Sequence, residues 1–473
     1  MNFQEPEKLI LLRNRFVTRK EIGKARRDLA KYLVSEYRLM LQKNTHDTYI
    51  LNKESNSYEH IDFDDLLMKL GDIIGPQLVS ETDLNEALLY ITERLTPEYN
   101  NIKFKNCVFD MNKMEVITPK KPIFSLVETE YNYNPDAKSE HLKKFLNTSL
   151  KKSTDKETRE IIKGIKQVVG YLFTSGNIKN ALPIITGISG GGKSVFGNIL
   201  VEIFGKDKIA DVKLQEMEKN AHASSSLINK HLNIINDSDS SAVTNNSYIK
   251  QITGNDNLQV NPKYKDAYVL PKEEVPKTII ICNTIPYFTK LEQALIERFI
   301  IIEFNVKFRG TEKENPHLLD DILSNPEEIE WFIYESLQAY KEMVDNKEDF
   351  VLREGENNKS LIIKHQKPIQ HILSKLISKY NTDGGEDIST NELNKAILYK
   401  AKDEGIEITT NDNNLIGSKK LINAIRSQFD LWDEIYTTKS TNGKRCYPNL
   451  VKTEEYDKIV AKMKSDDKLS LLQ

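Results

Sequence analysis

Cysteine is scarce. The 473 residues carry three, Cys107, Cys282 and Cys446, and their wide spacing argues against a disulfide framework or a zinc site. A reducing, cytoplasmic compartment is therefore expected. Long apolar runs are also missing. The longest stretches, such as Thr278–Cys282, fall far short of a membrane span, so no membrane partner is expected. The opening MNFQEPEKLI lacks the charged-then-apolar pattern of a secretory signal. No single charge sign dominates: 67 Lys and Arg against 70 Asp and Glu leave a net charge of −3. The chain is no polycation, so any nucleic-acid contact must come from local basic clusters. No internal repeat or long low-complexity tract is visible. With 39% hydrophobic and 29% charged residues the composition is that of a globular protein, and the length implies about three domains.

What is present centres on Ala181–Ile199, ALPIITGISGGGKSVFGNI. The apolar run Ala181–Thr186 predicts a buried strand. Gly187-Ile-Ser-Gly190-Gly191-Gly192-Lys193-Ser194 then satisfies G-x-x-x-x-G-K-[ST], and Val195, Phe196, Ile199, Leu200 and Ile203 follow at helical spacing. Glycines let successive N–H groups turn inward onto phosphate oxygens, and the helix adds its positive end. In such a loop Lys193 reaches the β/γ-phosphates of ATP, and the Ser194 hydroxyl ligates Mg²⁺. The plainer alternative is a Gly/Ser-rich surface turn before an amphipathic helix.

Downstream, His231–Asp239 (HLNIINDSD) is an apolar strand tipped with acids, about 43 residues beyond Lys193. Asp237 and Asp239 lie two apart and so share a face; one can hold Mg²⁺ and the other polarise the attacking water. Tyr248–Tyr268 reads as a helix end with Lys250, a turn at Thr253–Asp256, and a hairpin tipped by Asn261-Pro262-Lys263. Lys263, Tyr264 and Lys265 put two cations around an aromatic, which suits a DNA backbone with some stacking and equally a plain surface hairpin. Lys277–Asn283 (KTIIICN) predicts a third buried strand. It ends in an amide, Asn283, able to orient water or sense the terminal phosphate. Ala294–Phe304 sets Arg298 just before another apolar strand, where an arginine can act across a subunit boundary.

The flanks carry weaker signals. Lys20–Leu41 is a basic amphipathic helix with a solvated face or a nucleic-acid or subunit contact. Residues 50–135 read as mixed α+β. Asp62–Asp65 and Ser139–His141 superficially echo primase elements, but Asp64 and Asp65 sit where helix N-terminal acids belong, and His141 lies on a helix with Leu142, Phe145 and Leu146. Asn147–Asp155 reads as a linker, Glu157–Phe173 as an amphipathic helix, Pro316–Val344 as helical, and Asp345–Ser360 as a second linker. The tail predicts helices over Leu361–Tyr380, Ser389–Asp403 and Ser418–Phe429, the last two N-capped by their serines, then a ribbon over Trp432–Val451 turning at Ser440–Gly443. Three helices plus a hairpin is a winged-helix pattern. Between Ile416 and Leu450 six basic residues face three acids. Lys419, Lys420 and Arg426 would meet the major groove, and Lys444 and Arg445 the backbone. A protein-binding helical domain is the alternative.

The motif order resembles the superfamily 3 helicases, within the replicative primase–helicases of poxviruses, phages and plasmids. Lys250-Gln-Ile-Thr253-Gly254-Asn-Asp256, Asn283-Thr-Ile-Pro286 and Arg298–Phe304 match that family's pattern, as does Phe104–Tyr133 before the ATPase region. The resemblance covers roughly residues 100–345. The resemblance implies an α/β P-loop NTPase domain of AAA+ type over 151–350, in a multidomain chain whose mixed α+β region (1–150) is expected as a collar and whose tail (361–473) reads, from its own pattern, as a winged helix. It further implies a homohexameric ring that hydrolyses ATP with Mg²⁺ and moves along single-stranded DNA, with double-stranded DNA a second partner. By that likeness Gly187, Gly190, Gly191, Gly192, Lys193 and Ser194 bind nucleotide, Ser194 and Asp237 hold Mg²⁺, Asp237 and Asp239 are the catalytic acids, Asn283 is the sensor, Arg298 is the trans finger, and Lys263 and Lys265 tip a pore hairpin. Departures are Asp237 where Glu is common, Asn255 for a frequent Gly, and Glu297 before the arginine. An origin-binding initiator whose ATPase drives assembly, and a primase–helicase fusion, are the alternatives. A small-molecule kinase fits Arg298 and the tail poorly.

Overall fold

The computed structural model describes residues 22–43, 47–54, 56–74, 80–90, 94–220, 222–236, 247–263, 266–286, 288, 292–312, 314–354, 361–362, 367–404, 408, 410, 415–431 and 436–470. The chain is multidomain and mixed α/β, with five sheets among the described residues. It divides into two compact units. One is built on Met1–Ser238, Asn245–Asn283 and Ile302–Val351, the other on Asp239–Thr244, Thr284–Ile301 and Leu352–Gln473. No helix among the described residues is long and apolar enough to cross a membrane.

The first unit begins with helix Ile22–Glu36 packed on helix Glu81–Leu89. Leu29, Leu33, Leu66, Leu70, Leu84 and Leu88 form their shared core. Three short antiparallel strands, Met40–Leu41, Thr48–Asn52 and Ser57–His60, adjoin them. A four-stranded sheet follows, from Asn101–Lys103 to Val127–Glu128. The acids Asp64 and Asp65 sit in the first turn of helix Phe63–Ile74, and the Asp62 side chain accepts the Asp64 N–H at 2.9 Å. That is helix-start chemistry.

The centre of this unit is a five-stranded sheet. Its strands are β1 (Leu182–Gly187), β2 (Ile209–Ala210), β3 (Leu232–Asn236), β4 (Lys277–Ile281) and β5 (Phe299–Phe304), the last three residues of β5 belonging to this unit. Their spatial order is β5-β1-β4-β3-β2. Strands β1 to β4 pair in parallel, with Ile281 opposite both Ile185 and Asn236, and Leu232 opposite Ile209. A parallel strand is covered on both faces, which is why β1 and β4 read as unbroken apolar runs. Helices α1 (His141–Ser149), α2 (Asp155–Leu172), α3 (Lys193–Phe204) and α4 (Pro326–Asp345) complete the unit, with α2 and α4 packed along each other. At the end of α2 two buried groups take up carbonyls: His231 Nε2 donates to Leu172 O, the last of the helix, and Lys277 Nζ to Thr174 O just beyond it. Burial drives the His231 imidazole down to about 3 and the Lys277 amine well below the lysine range.

Several boundaries differ from the sequence reading. The polar stretch Asn147–Asp155 is not simply a linker: its first residues finish α1, and Thr154 caps α2 in a box with Glu157. The segment Pro316–Val344 is two helices, Leu318–Leu323 and α4, because Asn325 caps the second and Pro326 opens it.

The second unit carries the tail. Helix Pro368–Leu376 gives way to strand Ile377–Tyr380, so the helix expected over Leu361–Tyr380 is shorter at its carboxyl end. Pairing of Ile377–Tyr380 with Leu450–Lys452 overrides the local helical pattern there. Strand Glu386–Ser389, helices Thr390–Asp403 and Ser418–Phe429, strands Lys439–Thr441 and Lys444–Lys452, and helix Glu454–Ser470 follow. Ser418 is the first helical residue and Gly417 its cap, while Ser389 occupies a cap position without a side-chain bond. The nine-residue strand Lys444–Lys452 pairs with all three other strands. Asn442 and Gly443, at φ +51° and +73°, make the tight turn. Leu393, Ile397, Leu421, Ile425 and Tyr447 lie in the core. The last helix was not expected, though Tyr456, Ile459, Val460 and Met463 mark its apolar face.

Candidate nucleotide and nucleic-acid sites

The glycine stretch leaves the carboxyl edge of β1 and turns into α3. Gly187 stands at φ +133°, and a Cβ there would lie 2.2 Å from the Phe304 carbonyl oxygen. No other residue fits that approach. The loop is clasped by the segment after β5: Ile188 N–H donates to Phe304 O at 3.2 Å, and Phe308 N–H to Gly190 O at 3.0 Å. At the far end Gly192 caps α3 at φ +100° with no side-chain bond to the helix amides, and a Cβ on it would lie 2.6 Å from the Phe145 ring of α1. The N–H groups of the first turn of α3 thus have no side-chain acceptor at their cap, and the helix dipole adds positive potential at the same place.

Lys193 is buried, with its Nζ donating to Gly187 O at 2.7 Å and Ile188 O at 2.8 Å. Its ammonium is therefore held over the loop. Ser194 beside it is exposed. The apolar face of α3 runs through Phe196, Ile199, Leu200 and Ile203, all buried, as its spacing predicts. Phe196 meets Phe304 and Phe332 at ring distances of 5.9 and 6.3 Å.

Strands β3 and β4 reach the same edge. The Asn236 amide oxygen lies 3.9 Å from where a Cβ on Gly197 of α3 would sit. Asp237 and Asp239, the next acids along, lie outside the described residues. Past β4, Cys282 N–H donates to Ile185 O at 2.9 Å, and the Thr186 hydroxyl donates to Asn283 O at 3.1 Å. Asn283 is exposed with its main chain pinned to β1. Lys193, Ser194 and Asn283 are thus brought to one edge of one sheet. Among the described residues no cluster of His, Cys, Asp and Glu could hold a metal ion. The Ser194 hydroxyl is a donor suited to Mg²⁺, and the acid assigned to share it, Asp237, is not among those residues.

Arg298 belongs to the other unit, half-buried directly before β5, with its N–H on Leu295 O at 3.1 Å. Lys263 is exposed between the antiparallel strands Leu258–Val260 and Tyr268–Leu270. It lines a cavity of about 590 Å³ with His222, Lys230, Asp211 and Glu216. Tyr264 and Lys265 lie outside the described residues. In the tail, Lys419 and Lys420 are exposed on helix Ser418–Phe429, and Lys444 and Arg445 are exposed at the hairpin turn. Arg426 is half-buried, with its Nε turned away from solvent. Asp387 ties the hairpin down, accepting from Lys439 at 3.0 Å and from the Thr441 hydroxyl at 2.8 Å.

Two contributions to the loop were not legible beforehand: the strap Asn305–Arg309, and α1, whose first N–H groups at Glu140, His141 and Leu142 donate to the Glu328 carboxylate of α4. Neither carries a local motif. Both matter only because the chain returns to Gly187–Gly192 from over a hundred residues downstream or forty upstream.

Residues 185–295 match a family described as a family of unknown function, DUF5906. That match takes in the glycine loop, Lys193, Asp237, Asp239 and Asn283 and stops short of Arg298. Among solved structures, an A form apo structure of the NrS-1 C-terminal region is 16% identical, with a TM-score of 0.43, covering 90% of this chain and 98% of that one. A second, of NrS-1 residues 305–718, is also 16% identical at a TM-score of 0.44, over 88% and 98%. A third, an apo structure of the same region, is 14% identical at 0.40, over 89% and 97%.

Proposed function

We propose that the chain is an ATP-dependent DNA helicase that works as a homohexameric ring in replication initiation of a phage, virus or mobile genetic element. The observation that carries this reading is the loop Gly187–Gly192, leading into an α3 whose glycine cap has no side-chain acceptor, with the Lys193 ammonium held at 2.7 and 2.8 Å from two loop carbonyls. The order of motifs that resembles superfamily 3 helicases supplies the rest. On this reading residues 151–350 are a P-loop ATPase domain, 1–150 a collar and 361–473 a winged helix that binds DNA.

The residues divide the work. The loop amides and the first turn of α3 bind the phosphates of ATP. Lys193 swings from its carbonyl partners to the β/γ-phosphates. Ser194 and Asp237 would hold Mg²⁺, which neutralises charge on the phosphate oxygens when bound. Asp237 or Asp239 takes the proton of the attacking water, and Asn283 orients that water from the end of β4. Arg298 reaches the terminal phosphate of a neighbouring subunit's site. Lys263, with Tyr264 and Lys265, grips single-stranded DNA, while Lys419, Lys420, Arg426, Lys444 and Arg445 meet the duplex. The hydrogen bond that the Asp62 carboxylate accepts from the Asp64 N–H at the start of the helix favours a structural role there over primase chemistry.

ATPase activity with and without single-stranded DNA tests the reading, on wild type, Lys193→Ala and their equal mixture. DNA should stimulate the wild type, the variant should be inactive, and the mixture should fall below simple dilution. An unstimulated ATPase that merely dilutes on mixing would favour an initiator in which ATP drives assembly.

A further inference from the structure

The strap after β5 roots a second cation on the glycine loop, at Gly190, apart from the Gly187 and Ile188 carbonyls that hold Lys193. Arg309 N–H donates to Gly190 O at 3.4 Å, beside the 3.0 Å bond from Phe308. The contact is intimate: a Cβ on Gly190 would lie 2.5 Å from the Arg309 Cβ. The stem of Arg309 thus starts on the middle of the loop. Its side chain is exposed, and among the described residues no carboxylate or carbonyl accepts from the guanidinium. Of the acids that follow it, Glu314 is turned to the Gly310 N–H at 2.7 Å. A two-point backbone clasp therefore fixes the root of a long side chain and leaves its charged head uncommitted.

We propose that Arg309 is a further nucleotide-binding residue of this site, its guanidinium closing on the phosphate oxygens of the nucleotide held by Gly187–Gly192. This rests on reading that loop as a phosphate site. Phosphate is favoured over the base because the root of Arg309 lies on the main chain that would cradle phosphates, and a planar five-donor fork matches paired oxygens. The two backbone bonds to Gly190 also mean that movement of the loop carries Arg309 with it.

Calorimetric titration of the full chain with magnesium ATP, and with adenosine as the phosphate-free probe, tests the assignment. Arg309→Ala should weaken ATP binding about tenfold, Arg309→Lys should recover part of that loss, and adenosine binding should not change. Binding of ATP by Arg309→Ala within about twofold of wild type, with Lys193→Ala defective, would overturn the role of Arg309 and leave the loop reading intact. An equal loss for adenosine would overturn it too, by showing a general defect. Lys193→Ala and wild type binding ATP alike would instead overturn the phosphate-site reading itself.

Discussion

Replacing Glu328 with Ala should loosen the phosphate loop from a distance. One buried carboxylate of α4 collects four donors at the start of α1. Oε1 accepts the Glu140 and His141 N–H groups at 2.9 and 3.0 Å, and Oε2 accepts the Leu142 N–H at 2.9 Å and the Ser139 hydroxyl at 2.6 Å. Helix α1 has no cap from its own N-cap residue. Burial by itself raises the Glu328 carboxyl, but the Ser139 hydroxyl and the amides of Leu142, Glu140 and His141 outweigh it and hold it below the ordinary range. Bonds to a charged acceptor contribute roughly 1.5–3 kcal/mol each. The sum is not lost, because Glu140 and His141 are exposed and water can replace their partner, leaving Leu142 as the buried donor. We expect opening of α1 to become easier by about 2–4 kcal/mol. Native-state hydrogen exchange over residues 142–149 reads this directly, without assuming that a two-unit chain unfolds in one step. Because Phe145 of α1 rests on Gly192, ATP affinity should fall as well. The carboxyl is depressed in the fold, so its contribution is full above the ordinary value of 4.5 and fades as pH drops through the lowered one; the Ala variant should lack that acid dependence. A change in exchange below about 1 kcal/mol, or one that persists unaltered at low pH, would refute the argument.

Gly187→Ala forces a Cβ against Phe304 O at a φ of +133°, so it should cost more than about 2 kcal/mol of stability and abolish ATP binding; a variant with normal ATP affinity would show that the end of β5 yields. Glu404 is raised by burial, yet the bonds and charges of Lys375 and then Lys400 bring its carboxyl below the ordinary range, at 2.7 Å from Lys375 and 3.2 Å from Lys400. Thermal scans of Glu404→Gln should show a less stable second unit at neutral pH and a smaller loss than wild type as pH falls through the depressed value. Lys444→Glu with Arg445→Glu should weaken duplex binding and flatten its salt dependence in fluorescence anisotropy while ATP affinity holds; unchanged duplex affinity would remove the hairpin from the DNA surface.

The sequence by itself determined the local units. Ala181–Thr186 had to be a buried strand and Val195–Ile203 a helix, because their apolar periods differ, and the glycines between them allow only a tight loop. It also marked the Asn442-Gly443 turn, since both central positions of such a turn need positive φ. The tertiary structure decided everything that depended on pairing at long range. Ile377–Tyr380 became a strand because Leu450–Lys452 was there to receive it, although the residues before it are helical. The order β5-β1-β4-β3-β2, which gathers Lys193, Ser194 and Asn283 along one edge, follows from crossovers that no window of sequence contains. Glu328 and Arg309 gained their places the same way. An acid and an arginine in polar stretches look unremarkable in a linear reading, because the groups they meet, the start of α1 for the Glu328 carboxylate and Gly190 for the Arg309 main chain, are brought to them only when the chain folds back.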